Sequence, residues 1–464
     1  MTAYSAFVAK KLETVAPSGL ESPFTLPKSL FPMQQDLVSW ALRRGRAAIF
    51  ADTGLGKSRM QIAWADEVVR RTGGKVIILA PLAVAAQTVG EGKEIGVSIT
   101  HCREAEDVRP GINITNYDRI HKFDCSVFEG VVLDESSCIK HHTARTFDQL
   151  VDAFGLTPYR LCATATPAPN DWTELGTHAE FLGVCSRTEM LAEFFVHDGG
   201  DTQTWRLKGH ARNFFWRWVS QWGACVRKPS DLGYNDDAYA LPPITETEHM
   251  VDVDESALVE DGMLFALEAS SLTERRAARK ESMDARVKAC ADMVNASSEP
   301  WIIWGEYNAE TQALAKMIDG AVEIAGPDKA DVKEQRLADF AAGRIRVLIT
   351  KPSIAGWGLN WQHCARMAFV GVSDSFESYY QAVRRCYRFG QKREVHVHLF
   401  SSQLEGAVLA NLRRKQQAAI AMGESLAAET AEAVRAAIGG TARQTNEYRA
   451  ARQIKAPTWL RSAA

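Results

Sequence analysis

The feature that most restricts the fold is a series of short, β-branched apolar runs gathered in two clusters. The first cluster holds VIILA from Val76, INIT from Ile112, VVLDE from Val131 and RLCATAT from Arg160. The second holds WIIWG from Trp301, VEIAG from Val322, RVLIT from Arg346, RMAFVG from Arg366 and VHVHLF from Val395. Each run is almost continuously apolar, and helix-length polar or amphipathic segments separate them. That is the pattern of parallel strands buried on both faces in βαβ units. Two clusters predict an α/β chain with two mostly parallel sheets, each covered by helices on both faces. Between them lie an aromatic and basic stretch from Trp205 to Trp222, the breaker Leu241-Pro242-Pro243, and a helical pattern from about Ser256 to Val294. The expected division is residues 1–240, residues 241–440, and a tail of low apolarity over 441–464 that follows the helix stop at Gly439-Gly440.

Length and composition agree with this reading. A chain of 464 residues suits two large α/β units, and 46% hydrophobic with 24% charged residues is ordinary for a globular protein. The formal charge is −3, so the whole-molecule field does not attract a phosphate backbone, and any nucleic-acid contact has to come from local basic patches. Nine cysteines contain no C-x-x-C pair, which excludes a legible zinc ribbon or disulfide framework and fits a reduced compartment. Cys138 with His141 and His142 lacks a fourth ligand nearby, so no metal is expected there. The longest apolar stretch, Val76 to Ala86, is interrupted by Pro81 and falls short of the roughly 20 residues that span a bilayer. No signal-peptide apolar region opens the chain, and a soluble cytoplasmic protein is expected.

The most informative string is Ala51-Asp-Thr-Gly-Leu-Gly-Lys-Ser58, which follows the apolar stretch Ala47 to Phe50 and opens the helical pattern from Arg59. In a strand, loop and helix N-terminus, glycines let backbone N–H groups close around phosphates, and the helix dipole favours negative charge. Thr53, Gly54 and Gly56 would form the loop, Lys57 would reach the β/γ-phosphates, and Ser58 would hold Mg²⁺. Ala51 stands where the Walker pattern has its first glycine, and a plain glycine turn with a surface lysine is the structural alternative. A second string, Val131-Val132-Leu133-Asp134-Glu135, ends an apolar strand in two carboxylates 77 residues after the lysine. Asp134 would bind Mg²⁺ through its water shell, and Glu135 would orient or deprotonate a water. A solvated acidic turn is the alternative.

The ordered set resembles superfamily 2 helicases, and most closely their Swi/Snf-type branch of duplex-dependent ATPases. Phe31-Pro-Met-Gln34, followed by Trp40, is similar to that branch's adenine-reading element, with Gln34 in the glutamine place. Leu79-Ala-Pro81-Leu82 and Asn116-Tyr117 resemble its nucleic-acid-contacting motifs, and Asp134-Glu135-Ser136-Ser137 through Lys140 its acidic box. Thr164-Ala-Thr166-Pro167, then Asn170, Glu174 and Leu175, resembles the coupling motif. Gly356-Trp-Gly358-Leu-Asn360 looks like the fifth motif, and Gln381-Ala382, Arg385, Arg388 and Gly390-Gln391 like the sixth. Ser137 departs from a usual histidine, and Ile354-Ala355 from a usual Ala-Gly.

The resemblance spans about residues 30–415 and implies two RecA-like P-loop lobes with ATP and Mg²⁺ between them. It also implies that Gly358 and Gln381 contact the nucleotide, and that Pro81, Asn116, Tyr117, Thr164, Thr166 and Asn360 serve nucleic-acid contact or coupling. Arg385 and Arg388 lie three apart on one helical face, so lobe closure could bring both guanidiniums to the γ-phosphate. The function implied is a monomeric, DNA-stimulated ATP hydrolase that translocates along duplex, similar to minimal bacterial or bacteriophage members. A strand-separating DNA or RNA helicase is the alternative within the class. A P-loop kinase or transferase and a nucleic-acid-binding protein that holds ATP without turning it over are the alternatives outside it. From Trp205 to Lys228, six aromatics interleave with six basic residues. That stretch reads as a packed amphipathic helix in preference to a base-stacking platform.

Overall fold

The computed structural model describes residues 17–81, 84–139, 145–168, 171–198, 201–252, 282–355, 360–371, 375–402 and 406–438. The first sheet has seven strands: β1 (Arg46–Ala51), β2 (Lys75–Ala80), β3 (Ile99–His101), β4 (Ile112–Asn116), β5 (Phe128–Asp134), β6 (Tyr159–Ala163) and, after an antiparallel pair of β7 (Phe195–Asp198) with β8 (Asp201–Leu207), β9 (Gly223–Val226). Their spatial order is β3-β4-β2-β5-β6-β1-β9, and every neighbouring pair is parallel. The second sheet has six: β10 (Ile244–Val251), β11 (Trp301–Trp304), β12 (Ala321–Glu323), β13 (Val347–Thr350), β14 (Arg366–Phe369) and β15 (Val395–Ser402). They run in the order β10-β15-β14-β11-β13-β12, again all parallel.

Strand periodicity explains why both faces of each sheet are apolar. Along β2, Ile77 and Leu79 enter one core layer, while Val76, Ile78 and Ala80 enter the layer on the opposite face. Along β11, Ile302 and Trp304 face one layer, and Trp301 and Ile303 the other. Helices therefore have an apolar surface to cover on each side, as the continuous runs require. The second lobe also buries one ion pair completely, Arg286 Nη2 to Glu310 Oε1 at 3.0 Å. Glu310 Oε2 accepts the backbone N–H groups of Glu306 and Tyr307, which meets the polar demand of its other oxygen.

The aromatic stretch is packed as expected but is not one helix: Trp205 and Arg206 lie on β8, only Arg212–Val219 is α-helical, and Trp222 comes just before β9. Phe215, Trp216, Trp218 and Trp222 are buried in the first lobe, on and just after the helix Arg212–Val219. Its basic partners reach a 33-residue helix, Gly406–Ile438, through Arg212 to Glu429 at 3.2 Å and Arg227 to Glu424 at 3.0 Å. That helix starts against the second lobe, where Leu409 and Leu412 join its core. It ends against the first, with Leu426 and Val434 in the two layers there. The helical pattern expected from about Ser256 begins in the structure as Met283–Asn295; residues 253–281 lie outside the described residues.

Candidate active site

The carboxyl ends of β1 and β5 meet at the edge of the first sheet that faces the second lobe, and between the lobes is a cavity of about 450 Å³. Its first-lobe wall carries Gln34, Thr53, Gly54, Gly56, Lys57, Ser58, Asp134 and Glu135. Its second-lobe wall carries Asn360, Arg384, Arg385, Arg388 and Phe389. Two glycines are demanded by the loop after β1. Gly54 has φ +90°, and a Cβ there would lie 3.2 Å from the backbone nitrogen of Phe389 in the other lobe. Gly56 has φ +80°, and its Cβ would come within 2.2 Å of Gln34 Nε2. The Gln34 amide is itself fixed, accepting from Phe31 N at 3.0 Å and donating to Leu55 O at 2.9 Å.

Lys57 opens the helix Lys57–Thr72, and its Nζ donates to Ala51 O at 2.9 Å and to Asp52 O at 3.3 Å. Desolvation lowers its pKa, against the pull of Glu135, Asp52 and Asp134. Asp134 and Glu135 are each 6% exposed. Burial, and then the neighbouring Glu135 charge, raise the Asp134 carboxyl to about 7, and Gln61 Nε2 donates to its Oδ1 at 2.6 Å. Glu135 is the one non-glycine residue with positive φ among those described, at 53°. Such a backbone costs on the order of 1–3 kcal/mol and is held in place by its surroundings. Its Oε2 is buried without a hydrogen-bond partner. Behind the pair, Tyr117 OH donates to Asp134 O at 2.7 Å, and Ser136 Oγ meets His178 Nε2 at 3.1 Å. Burial holds His178 down to a pKa of about 4.

Arg385 is held by Gln381, donating from Nε to the backbone oxygen at 2.9 Å and from Nη2 to Oε1 at 2.8 Å. Burial, and then the like charge of Arg388, bring its pKa down to about 10. Desolvation also lowers the pKa of Arg388, and Glu91 is the leading carboxylate opposing that shift. Glu91 sits on the helix Ala85–Glu94 and accepts from Gln87 Nε2 at 2.7 Å and from Asn360 Nδ2 at 3.3 Å. At the outer mouth of the cavity, Phe31, Tyr239 and Phe389 form a ring cluster with centroids 5.1 to 6.1 Å apart.

The residues expected to act on nucleotide thus largely share one cavity, with two qualifications. Gln381 lies beneath the wall, fully buried under Arg385, and Gly358 falls outside the described residues. So do Leu82, Lys140, His141, His142 and Asn170. Among the residues expected to couple or to contact nucleic acid, Asn360 instead lines this cavity. Pro81 and Asn116 lie at the ends of β2 and β4, and Thr166 N donates to Thr164 Oγ at 3.2 Å. Thr166 Oγ reaches Glu377 Oε1 of the second lobe at 3.5 Å. Sequence reasoning missed Gln61, Glu91, Tyr239 and the role of Phe389. Gln61 lies four residues after Lys57, a spacing that puts both on one helix face. Glu91 and Tyr239 carry no local signal.

Residues 286–390 match the family model of the helicase conserved C-terminal domain. The match begins at Arg286 of the buried ion pair, takes in β11 to β14, and ends two residues past Arg388. A search of curated proteins found no match to the chain. The matched segment is the second RecA-like domain of a helicase-like motor, and the first sheet, with its glycine loop at the shared cavity, is the parallel α/β lobe that stands opposite it. That domain and this architecture indicate a superfamily 2 helicase-like protein and support, in general, a nucleic-acid-dependent ATPase motor.

Proposed function

We propose that the protein is a DNA-stimulated ATP hydrolase of the Swi/Snf type that moves along duplex. The observation that carries this reading is the single cavity in which Lys57, Asp134 and Glu135 of one lobe face Arg385 and Arg388 of the other. A one-lobe phosphotransferase would have no use for the two arginines. The residues fit a magnesium nucleotide: the loop glycines adopt backbone that side chains avoid, and Glu135 Oε2 is an unpartnered buried acceptor. Ser58 and Asp134 would hold Mg²⁺, which when bound neutralises charge on the phosphate oxygens.

In this mechanism Lys57 leaves the carbonyls of Ala51 and Asp52 to bind phosphate oxygens, and the rings of Phe31, Tyr239 and Phe389 cover the base beside Gln34. Glu135 orients the attacking water and accepts its proton. Arg385, oriented by Gln381, and Arg388 neutralise the charge that develops on the transferred group, a role worth ~10³ to 10⁵ in rate for an arginine finger. Binding favours closed lobes and turnover opens them. Thr166, which reaches Glu377 of the second lobe, would couple that cycle to nucleic acid at Pro81, with the buried Thr164 and Asn116 and the Asp134-bonded Tyr117 acting from beneath that surface.

ATPase rates of the purified protein with no nucleic acid, duplex DNA, single-stranded DNA and RNA test the reading. Stimulation by duplex above the others supports it. Preference for single strands or RNA moves the assignment to a strand-separating helicase, and ATP binding without turnover on any of them overturns it.

A further inference from the structure

One face of the helix Phe376–Val383 in the second lobe is turned toward the first. Glu377, Tyr380 and Arg384 fall at i, i+3 and i+7, a helical stripe. Glu377 receives Thr166 Oγ, while Tyr380 OH donates to Asp52 Oδ1. Arg384 Nη2 stands 3.8 Å from Asp52 Oδ2, with both side chains under 20% exposed (18% and 16%). The Arg384 guanidinium packs over the rings of Tyr380 at 5.1 Å and Tyr387 at 5.3 Å, which fixes its approach. Asp52 is not an idle surface carboxylate. Its Oδ1 accepts Thr53 N at 2.6 Å, and its backbone oxygen holds Lys57 Nζ at 3.3 Å.

We propose that Tyr380 and Arg384 form a latch on Asp52 that favours the closed arrangement of the lobes and sets the position of the phosphate loop. The reasoning is geometric. Asp52 joins two bonded systems, the contact from the second lobe through its carboxylate and the phosphate lysine through its carbonyl. Separation of the lobes breaks the first and loosens the loop that presents the second. Because Glu377 on the same stripe touches Thr166, the helix engages the phosphate loop and the coupling strand as one rigid face. Tyr380 does not line the cavity and Arg384, on its wall, is engaged with Asp52, so both are positioning residues here. A contact present only in the closed state raises the affinity of any ligand that requires closure, and losing it must lower that affinity.

The latch rests on the ATPase reading for its kinetic consequence but not for its structural one, and the experiment separates the two. Full-length wild type, Tyr380→Phe, Arg384→Gln and Asp52→Asn would be compared by single-molecule energy transfer between dyes on exposed residues of the two lobes, and by steady-state ATPase with duplex. Tyr380→Phe is expected to reduce the closed population and to raise KM for ATP roughly tenfold, the scale of a lost hydrogen bond to a charged group. The rate at saturating ATP should change far less. The double variant Tyr380→Phe with Asp52→Asn should be no worse than the more impaired single one. An unchanged closed population in folded Tyr380→Phe and Arg384→Gln proteins overturns the latch, as do fully additive effects. A reduced closed population in the variants, beside a wild type that turns over no ATP, supports the latch and removes the ATPase reading instead.

Discussion

Asn360 of the second lobe donates its side-chain amide to Glu91 of the first at 3.3 Å, across the same cavity that holds Arg388. Glu91 is also the leading carboxylate acting on Arg388. On the proposed reading, an acidic side chain on this wall repels the phosphates of a nucleotide entering the cavity. Glu91→Gln keeps an acceptor for Asn360 and removes the charge. The expected result is a KM for ATP lower by about two- to fivefold, the scale of a part-exposed charge interaction, read from steady-state kinetics. A raised KM would show that Glu91 helps to build the site.

Lys57 and Glu135 should fail in different ways. Lys57→Ala removes the phosphate-binding charge at the helix N-terminus, so both nucleotide affinity and turnover should fall. Glu135→Gln keeps the shape of a side chain already held at φ 53° and removes only the base. It should bind ATP normally, stall hydrolysis and accumulate the ATP-bound state, measured by rapid filtration with labelled nucleotide. Normal turnover in Glu135→Gln would remove that residue from the chemistry.

Arg388 separates a two-lobe motor from a one-lobe nucleotide binder. Arg388→Ala should leave ATP affinity nearly unchanged, because the phosphate loop belongs to the first lobe. Single-turnover hydrolysis should slow by roughly 10³ or more, and DNA should no longer stimulate it. Collapse of affinity together with rate would make Arg388 a ground-state contact.

His178 makes the fold sensitive to acid. It is fully buried, and its pKa falls from 6.5 in an open chain to about 4 in the folded state. Between those values the unfolded chain binds a proton that the native one does not, so stability is complete above pH 6.5 and is lost as pH falls toward 4. The full contribution is on the order of 3 kcal/mol. Urea midpoints at pH 7.5 and pH 5 should differ in the expected direction, and His178→Asn should flatten that part of the difference.

The legible part of this protein was whatever depends on local pattern. Continuous apolar runs such as Val131 to Leu133 announced parallel strands because such a strand is buried on both faces and tolerates no polar side. The loop at Asp52 to Ser58 was legible because only glycine accepts the positive φ at Gly54 and Gly56. The motif around Arg385 and Arg388 was legible as a pattern within one short segment, although both stand in the turn after the helix Phe376–Val383 and not on the helical face expected.

Tertiary structure decided what those patterns could not. Gln381 proved to brace Arg385 from below the cavity, Asn360 to line it, and Glu91 and Tyr239 to face it from segments without any motif. Asp52 gained its partners Tyr380 and Arg384 from more than 300 residues away, a pairing with no periodicity to reveal it. The sequence by itself determined two parallel sheets and which polar side chains stand at the ends of their strands, since backbone geometry and burial act over a few residues. The docking of the two sheets decided which side chains share the cavity, because contacts between lobes follow from the packed surfaces of both and are written in neither segment alone.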